Sequence, residues 1–151
     1  MTTAVFATDI HGNKSLFEKL FKYAKINSCE VIIGGDICPK LKPSIEESII
    51  VQRKFLVEYL IPRIEKLPKL PYIMMGNDDC RINLDVLEAA AGDKKLHLLH
   101  NKSAKLGKYA LYGYSFVPIT PFRLKDWERA DMEAKSVGGV MTVERVDYTT
   151  I

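Results

Sequence analysis

Three observations predict an α/β protein with a parallel, doubly wound sheet. Short apolar runs, Ala4 to Ala7, Val31 to Ile33 and Tyr72 to Met75, recur along the first half of the chain. Stretches of helical periodicity separate them, and the two longer ones carry capping-box starts, Ser15 with Glu18 and Ser44 with Glu47. Each apolar run closes on a polar signature: Asp9-Ile10-His11, Gly35-Asp36 and Gly76-Asn77-Asp78-Asp79. Strands alternating with helices make a parallel sheet, and the carboxyl ends of such strands open into one crevice.

Taken in order, residues 3 to 8 form the first strand. Asn13 or Ser15 caps the helix that follows, whose apolar face is Leu16, Phe17, Leu20, Phe21 and Ala24. Asn27-Ser28 ends it before a second strand, Cys29 to Gly34. Pro39 and Pro43 bracket a loop, and Ser44 opens a longer helix carrying Ile45, Ile49, Leu56 and Leu60, which Pro62 bends or ends. A proline-rich joint from Pro68 to Pro71 leads to the third strand, and Ile82 to Ala91 reads as a short helix. Beyond Gly92 the pattern changes. Lys95 to Leu99, Ala104 to Leu106 and Tyr109 to Tyr114 predict a second set of strands, with Gly107-Lys108 as a turn. A helix is expected near Leu124, and one more strand between Val140 and Ile151.

The 151 residues fit one domain, 1–151, large enough to bury its own core. A net charge of +3, from 22 basic and 19 acidic residues without a basic block, does not favour nucleic acid as a partner. Cys29, Cys38 and Cys80 are odd in number and lack a CxxC spacing, which argues against a disulfide framework or a zinc ribbon and for a reducing compartment. Without a positive leader or an apolar run of membrane length, the expectation is a soluble, cytoplasmic protein with no membrane partner.

The three signatures are built from hard oxygen and imidazole donors. Asp9 and His11, two residues apart just past a strand end, can serve one ion. Asp36 can bridge that ion to a second, since a carboxylate has two oxygens, and Asn77 offers an amide oxygen to the second. Two ions about 3.5–4 Å apart would hold a hydroxide between them and clamp an in-line phosphoryl displacement. This donor set suits Mn²⁺, with Fe or Zn²⁺ as alternatives. Cys38 and Cys80 read as small buried thiols, Lys14 as a solvated helix-start residue, and Trp127 either as core or, with Phe122, Arg123 and Arg129, as a substrate rim.

In these motifs the chain resembles the calcineurin-like metallophosphoesterase superfamily over roughly residues 1 to 115. That family carries D-x-H, G-D, G-N-H-D or G-N-x-D, then a lone His and G-H-x-H, on an αββα sandwich. Asp9, His11, Asp36 and Asn77 match the first three blocks, and Asp79 matches the Asp that closes the third. The resemblance implies a dinuclear phosphoesterase with Asp9, His11, Asp36 and Asn77 as metal ligands, and with Asp78 and Asn77 at the catalytic positions beside the phosphate ester. Two departures accompany it. Asp78 stands where many members have a catalytic His, and a carboxylate beside a phosphate is unhelpful unless a metal offsets it. The later His and G-H-x-H blocks are missing, since the remaining histidines, His97 and His100, sit in an apolar run. The carboxyl-terminal part of the sandwich is therefore expected to be incomplete, leaving an open sheet edge for a second copy or a protein partner. Phosphodiester hydrolysis is the leading reading and a non-catalytic scaffold on the same fold is its rival. A nucleotide-binding domain is weaker, because Gly34-Gly35 is no G-x-G-x-x-G.

Overall fold

The computed structural model describes residues 3–129. Its main sheet has four parallel strands in chain order, β1 (Ala4–Ala7), β2 (Glu30–Gly34), β3 (Tyr72–Met74) and β4 (His97–Leu98). The registers pair Val5 with Val31, Ile33 with Ile73 and Ile73 with Leu98. Between the strands run α1 (Lys14–Asn27), α2 (Ile45–Phe55) continuing into α3 (Ile61–Ile64), and α4 (Leu84–Gly92). An antiparallel hairpin, β5 (Ser103–Leu106) and β6 (Tyr109–Tyr112), turns at Gly107, which holds φ +58°.

The α/β class and the parallel sheet agree with the sequence, but the winding does not. Strands added in one direction leave every described helix on one face, as parallel crossovers of one hand do, so the described sheet is wound once rather than doubly. The core divides accordingly. Val31, Ile33, Ile73 and Leu98 pack with Phe17, Phe21, Leu56, Leu60 and Leu87 of the helices. On the opposite face Tyr72, Leu99 and Leu106 form a separate cluster with Ile32, Met74 and Leu111, so the hairpin covers β2 and β3. Phe6, at the β1 edge, stays 63% exposed.

Several boundaries shift for local reasons. Asn13, not Ser15, caps α1 by accepting the Leu16 N–H at 3.2 Å. Ser44 caps α2 by accepting the Glu47 N–H at 3.3 Å. Pro62 does not end its helix: a π-helical turn over Leu56–Leu60, closed by Ile61 N–H donating to the Leu56 carbonyl, precedes it. That wider turn removes the clash a proline ring makes with the carbonyl four residues back. The buried side of α2 is Ser48, Gln52 and Phe55 rather than Ile45 and Ile49, because that side meets the polar loops at the strand ends. His97 and Leu98 join the first sheet as its fourth strand and do not begin a second one. Around Leu124 there is no helix. Residues 113–129 instead form an irregular loop closed by Val117 N–H donating to the Trp127 carbonyl at 2.8 Å and Arg129 N–H to the Val117 carbonyl at 2.9 Å. The strand expected after Val140 lies outside the described residues.

Candidate metal centre

The parallel ladder between β1 and β2 does not stop where the strands do. Asp9 N–H donates to the Gly35 carbonyl at 3.2 Å, His11 N–H to the Asp36 carbonyl at 2.8 Å and Gly12 N–H to the Ile37 carbonyl at 3.0 Å. Ile10 and Ile37 are buried in the helix-side core and anchor the two loops from below. With Ile10 inward, the residues on either side of it are held over the strand ends. This is achieved with Asp9, His11 and Asp36 all in the left-handed region, at φ 55°, 47° and 49°. Each such non-glycine residue stores about 1–3 kcal/mol of strain, which the surrounding hydrogen bonds and buried isoleucines sustain.

The result is convergence. One ligand atom from each of Asp9, His11 and Asp36 lies within 4.8 Å of the others. Donors bound at about 2.0–2.2 Å to a shared ion stand roughly 3–4 Å apart, so a small side-chain adjustment closes this set onto a cation. The histidine is prepared for that role: His11 Nδ1 is buried and has no hydrogen-bond partner among the described residues. Asp78 Oδ2 is the nearest carboxylate to it, at 3.9 Å, beyond hydrogen-bond reach. Burial raises the Asp36 pKa, and the nearby Asp78 charge raises it further, against the lowering effect of the 2.9 Å hydrogen bond from Asp78 N–H to Asp36 Oδ1. Three carboxylates, Asp9, Asp36 and Asp78, thus crowd one histidine, and a cation relieves that crowding.

The third signature is brought against the other two by a close backbone approach. A Cβ on Gly35 would meet the Gly76 Cα at 3.0 Å, and one on Gly76 would strike the Asp36 backbone nitrogen and carboxylate. Asn77 lines the same cavity as Asp9 and Asp36, and its amide Nδ2 lies 3.4 Å from Asp78 Oδ1. None of the described residues lining that cavity is a lysine or arginine, so among them an anionic substrate finds no cation to meet it.

Asp79 carries the scaffold. Fully buried, it accepts from Ile37 N–H at 3.1 Å, Cys38 N–H at 2.8 Å and Gly76 N–H at 2.9 Å, which ties the loop after β2 to the loop after β3. Burial outweighs these bonds and pushes its pKa up to about 6. Gln52 bridges as well, donating to the Pro39 and Asp78 carbonyls and accepting from Cys80 N–H at 2.7 Å. Trp127 is core, 1% exposed, and its indole N–H donates to the Asp79 carbonyl at 2.6 Å. Sequence reasoning passed over Gln52 and left Trp127 between two roles. The available signal was a glutamine on the buried stripe of α2, since buried polar side chains need partners.

The other candidates fall away from the cluster. His97 stacks on Tyr72 at 4.7 Å, and His100 packs among Phe116 and Trp127. Cys38 and Cys80 are buried, and desolvation raises both thiols, Cys80 to about 12, which keeps them neutral and poor ligands. Arg123 donates to the Pro43 and Lys42 carbonyls, Arg129 lies 3.8 Å over the Phe116 ring, and Lys14 sits 5.1 Å over Tyr59. No helix among the described residues is long and apolar enough to cross a membrane.

No family model, curated protein or solved structure matches this chain.

Proposed function

We propose that this protein is a metal-dependent phosphoesterase of the calcineurin-like kind, acting on phosphodiesters. The observation that carries the reading is the convergence of Asp9, His11 and Asp36 within 4.8 Å, with His11 Nδ1 buried and unpartnered. The layer order of helices, parallel sheet and hairpin supports it too, being three of the four layers of an αββα sandwich.

In this reading Asp9, His11 and Asp36 hold one divalent ion, and Asp36 with Asn77 faces a second. Such ions, Mn²⁺ first among them, supply Lewis-acid polarisation of the phosphoryl group and activation of water. The chain's own residues do the rest. Ile10, Ile37 and Asp79 fix the loops so that the donors need little reorganisation. The absence of a lysine or arginine among the described residues of the cavity lining favours a diester, with one negative charge, over a monoester with nearly two. Asp78, held by its N–H to Asp36 and by its carbonyl to Gln52, places a carboxylate beside the reacting group, where it repels charge and lowers turnover. Metal analysis of the purified protein, then hydrolysis of bis-p-nitrophenyl phosphate with and without Mn²⁺, tests the reading. We expect bound metal and slow, Mn²⁺-dependent release of nitrophenol. Metal-free protein that takes up no Mn²⁺ would sink it.

A scaffold on the same fold is the second reading, favoured by Phe6. It is 63% exposed on the edge strand β1, on the hairpin's side of the sheet but beyond its reach, and offers a second copy or another protein an apolar contact and a strand edge with no partner among the described residues.

A further inference from the structure

The net charge of +3 is unevenly spread along the chain. No aspartate or glutamate occurs between Asp93 and Asp126, and within that stretch the β5–β6 hairpin and its entry carry Lys102, Lys105 and Lys108. All three are exposed, and none has a carboxylate within ion-pair distance among the described residues. At about 3.3 Å per strand residue they mark out a basic row roughly 20 Å long. Acidic residues elsewhere hide this asymmetry from the total charge.

Three exposed tyrosines share the same ribbon, Tyr109, Tyr112 and Tyr114. The register sets Tyr112 opposite Ser103 and Ala110 opposite Lys105, so the outer face of the hairpin holds two small residues, one lysine and one ring. Among such small neighbours Tyr112 stands 65% exposed, while Ala104, Leu106 and Leu111 turn inward to the sheet. Exposed rings beside unpaired cations suit a single-stranded nucleic acid, whose bases stack on the rings while its phosphates meet the lysines. A duplex keeps its bases stacked inside and leaves the rings without a partner.

The ribbon also leads to the metal cluster. Beyond Gly113, whose carbonyl accepts the Asn101 N–H at 3.0 Å, Tyr114 lines the cavity that Asp9, Asp36 and Asn77 share. The described lining of that cavity offers a phosphodiester no lysine or arginine, and the neighbouring hairpin carries three lysines.

We propose that the hairpin binds single-stranded nucleic acid, with Tyr112 stacking a base and Lys102, Lys105 and Lys108 meeting phosphates, and that the strand so held runs past Tyr114 to the candidate metal centre. The binding surface rests on the hairpin alone. That the bound strand is the diester substrate rests on the phosphoesterase reading.

Fluorescence anisotropy of the full chain with a labelled oligothymidylate of about 20 nucleotides, in EDTA so that no cleavage intervenes, tests the surface. Three phosphate contacts on a single strand make affinity fall roughly 20-fold between about 50 and about 200 mM salt. Tyr112→Ala is expected to weaken binding about ten-fold, and Tyr112→Phe, which keeps the ring, to bind as the unaltered chain does. Lys102→Glu, Lys105→Glu and Lys108→Glu together should abolish binding without moving the urea unfolding midpoint. A duplex of equal length held as tightly, or a Tyr112→Ala variant with undiminished affinity, overturns the proposal. Retention on phosphatidylserine vesicles without binding of the strand overturns it as well, by making the hairpin a membrane contact. Mn²⁺-loaded protein that binds the strand but cleaves neither it nor bis-p-nitrophenyl phosphate sinks the phosphoesterase reading and leaves the surface standing. Cleavage of bis-p-nitrophenyl phosphate by protein that binds no strand does the reverse.

Discussion

Asp36 occupies the junction of everything the candidate centre does. It is the buried member of the cluster, its carbonyl accepts from His11 N–H, and its carboxylate accepts from Asp78 N–H. Removing its carboxylate takes a donor from both proposed ion positions, whereas losing Asp9 affects only one. Calorimetry of Asp36→Ala with Mn²⁺ should show binding weakened at least about 100-fold, and uptake equal to that of the unaltered chain would refute the assignment. Asp78 poses the opposite case. Replacing its carboxylate with an imidazole removes a repulsive charge and adds a group able to give a proton to the leaving oxygen. Asp78→His should therefore raise bis-p-nitrophenyl phosphate turnover about ten-fold at neutral pH. If that variant keeps its metal but loses activity, Asp78 contributes positively and the view of it as a handicap fails.

The elements matter here mainly through how their ends are tied together. Trp127 lies in the irregular loop, 48 residues from Asp79, yet its indole N–H reaches the Asp79 carbonyl and so braces the residue that joins two strand-end loops. Trp127→Phe keeps most of the packing against Phe116 and His100 and strands a buried carbonyl. Urea denaturation should register a loss of about 1–3 kcal/mol. His100 in the same aromatic cluster gives the loop a pH dependence. Burial lowers its pKa below the ordinary 6.5, with Arg81, Lys102 and Arg129 pushing the same way and Glu88 opposing. The unfolded chain then takes up the proton first, so this histidine's contribution is complete above about pH 6.5 and is lost as pH falls below it. Comparing unfolding midpoints from pH 7 to pH 5 with those of His100→Phe should show a shallower decline in the variant. Parallel curves would mean that His100 is not the group responsible.

For the molecule as a whole, the decisive feature is a sheet with unequal faces. Helices cover one side, while the hairpin covers β2 and β3 on the other and leaves Phe6 on β1 exposed. An exposed phenylalanine on a strand at a sheet edge promotes association, because the apolar surface and the unpaired backbone groups can be satisfied in one contact. Sedimentation equilibrium should detect a concentration-dependent dimer that Phe6→Ser weakens about ten-fold or more. A chain that stays monomeric at high concentration would remove the support Phe6 lends to a scaffold.

How much of this was legible beforehand depends on the range of the interactions involved. The alternation of strand and helix, the cap at Ser44 and the polar signatures at strand ends are short-range patterns, and the sequence by itself determined them through periodicity and side-chain chemistry, whereas between Asn13 and Ser15 as the α1 cap the structure chose. The convergence of Asp9, His11 and Asp36 was legible for the same reason, since a residue's place at a strand's carboxyl end implies what it can face. Only the tertiary structure decided the single winding, the left-handed backbone of Asp9, His11 and Asp36, and the network of Asp79, Gln52 and Trp127. Each of these depends on groups that are far apart in the chain and share one buried space. A polar side chain such as Gln52 looks alike in sequence whether water or a neighbouring loop receives it, and what receives it is set by how the layers pack.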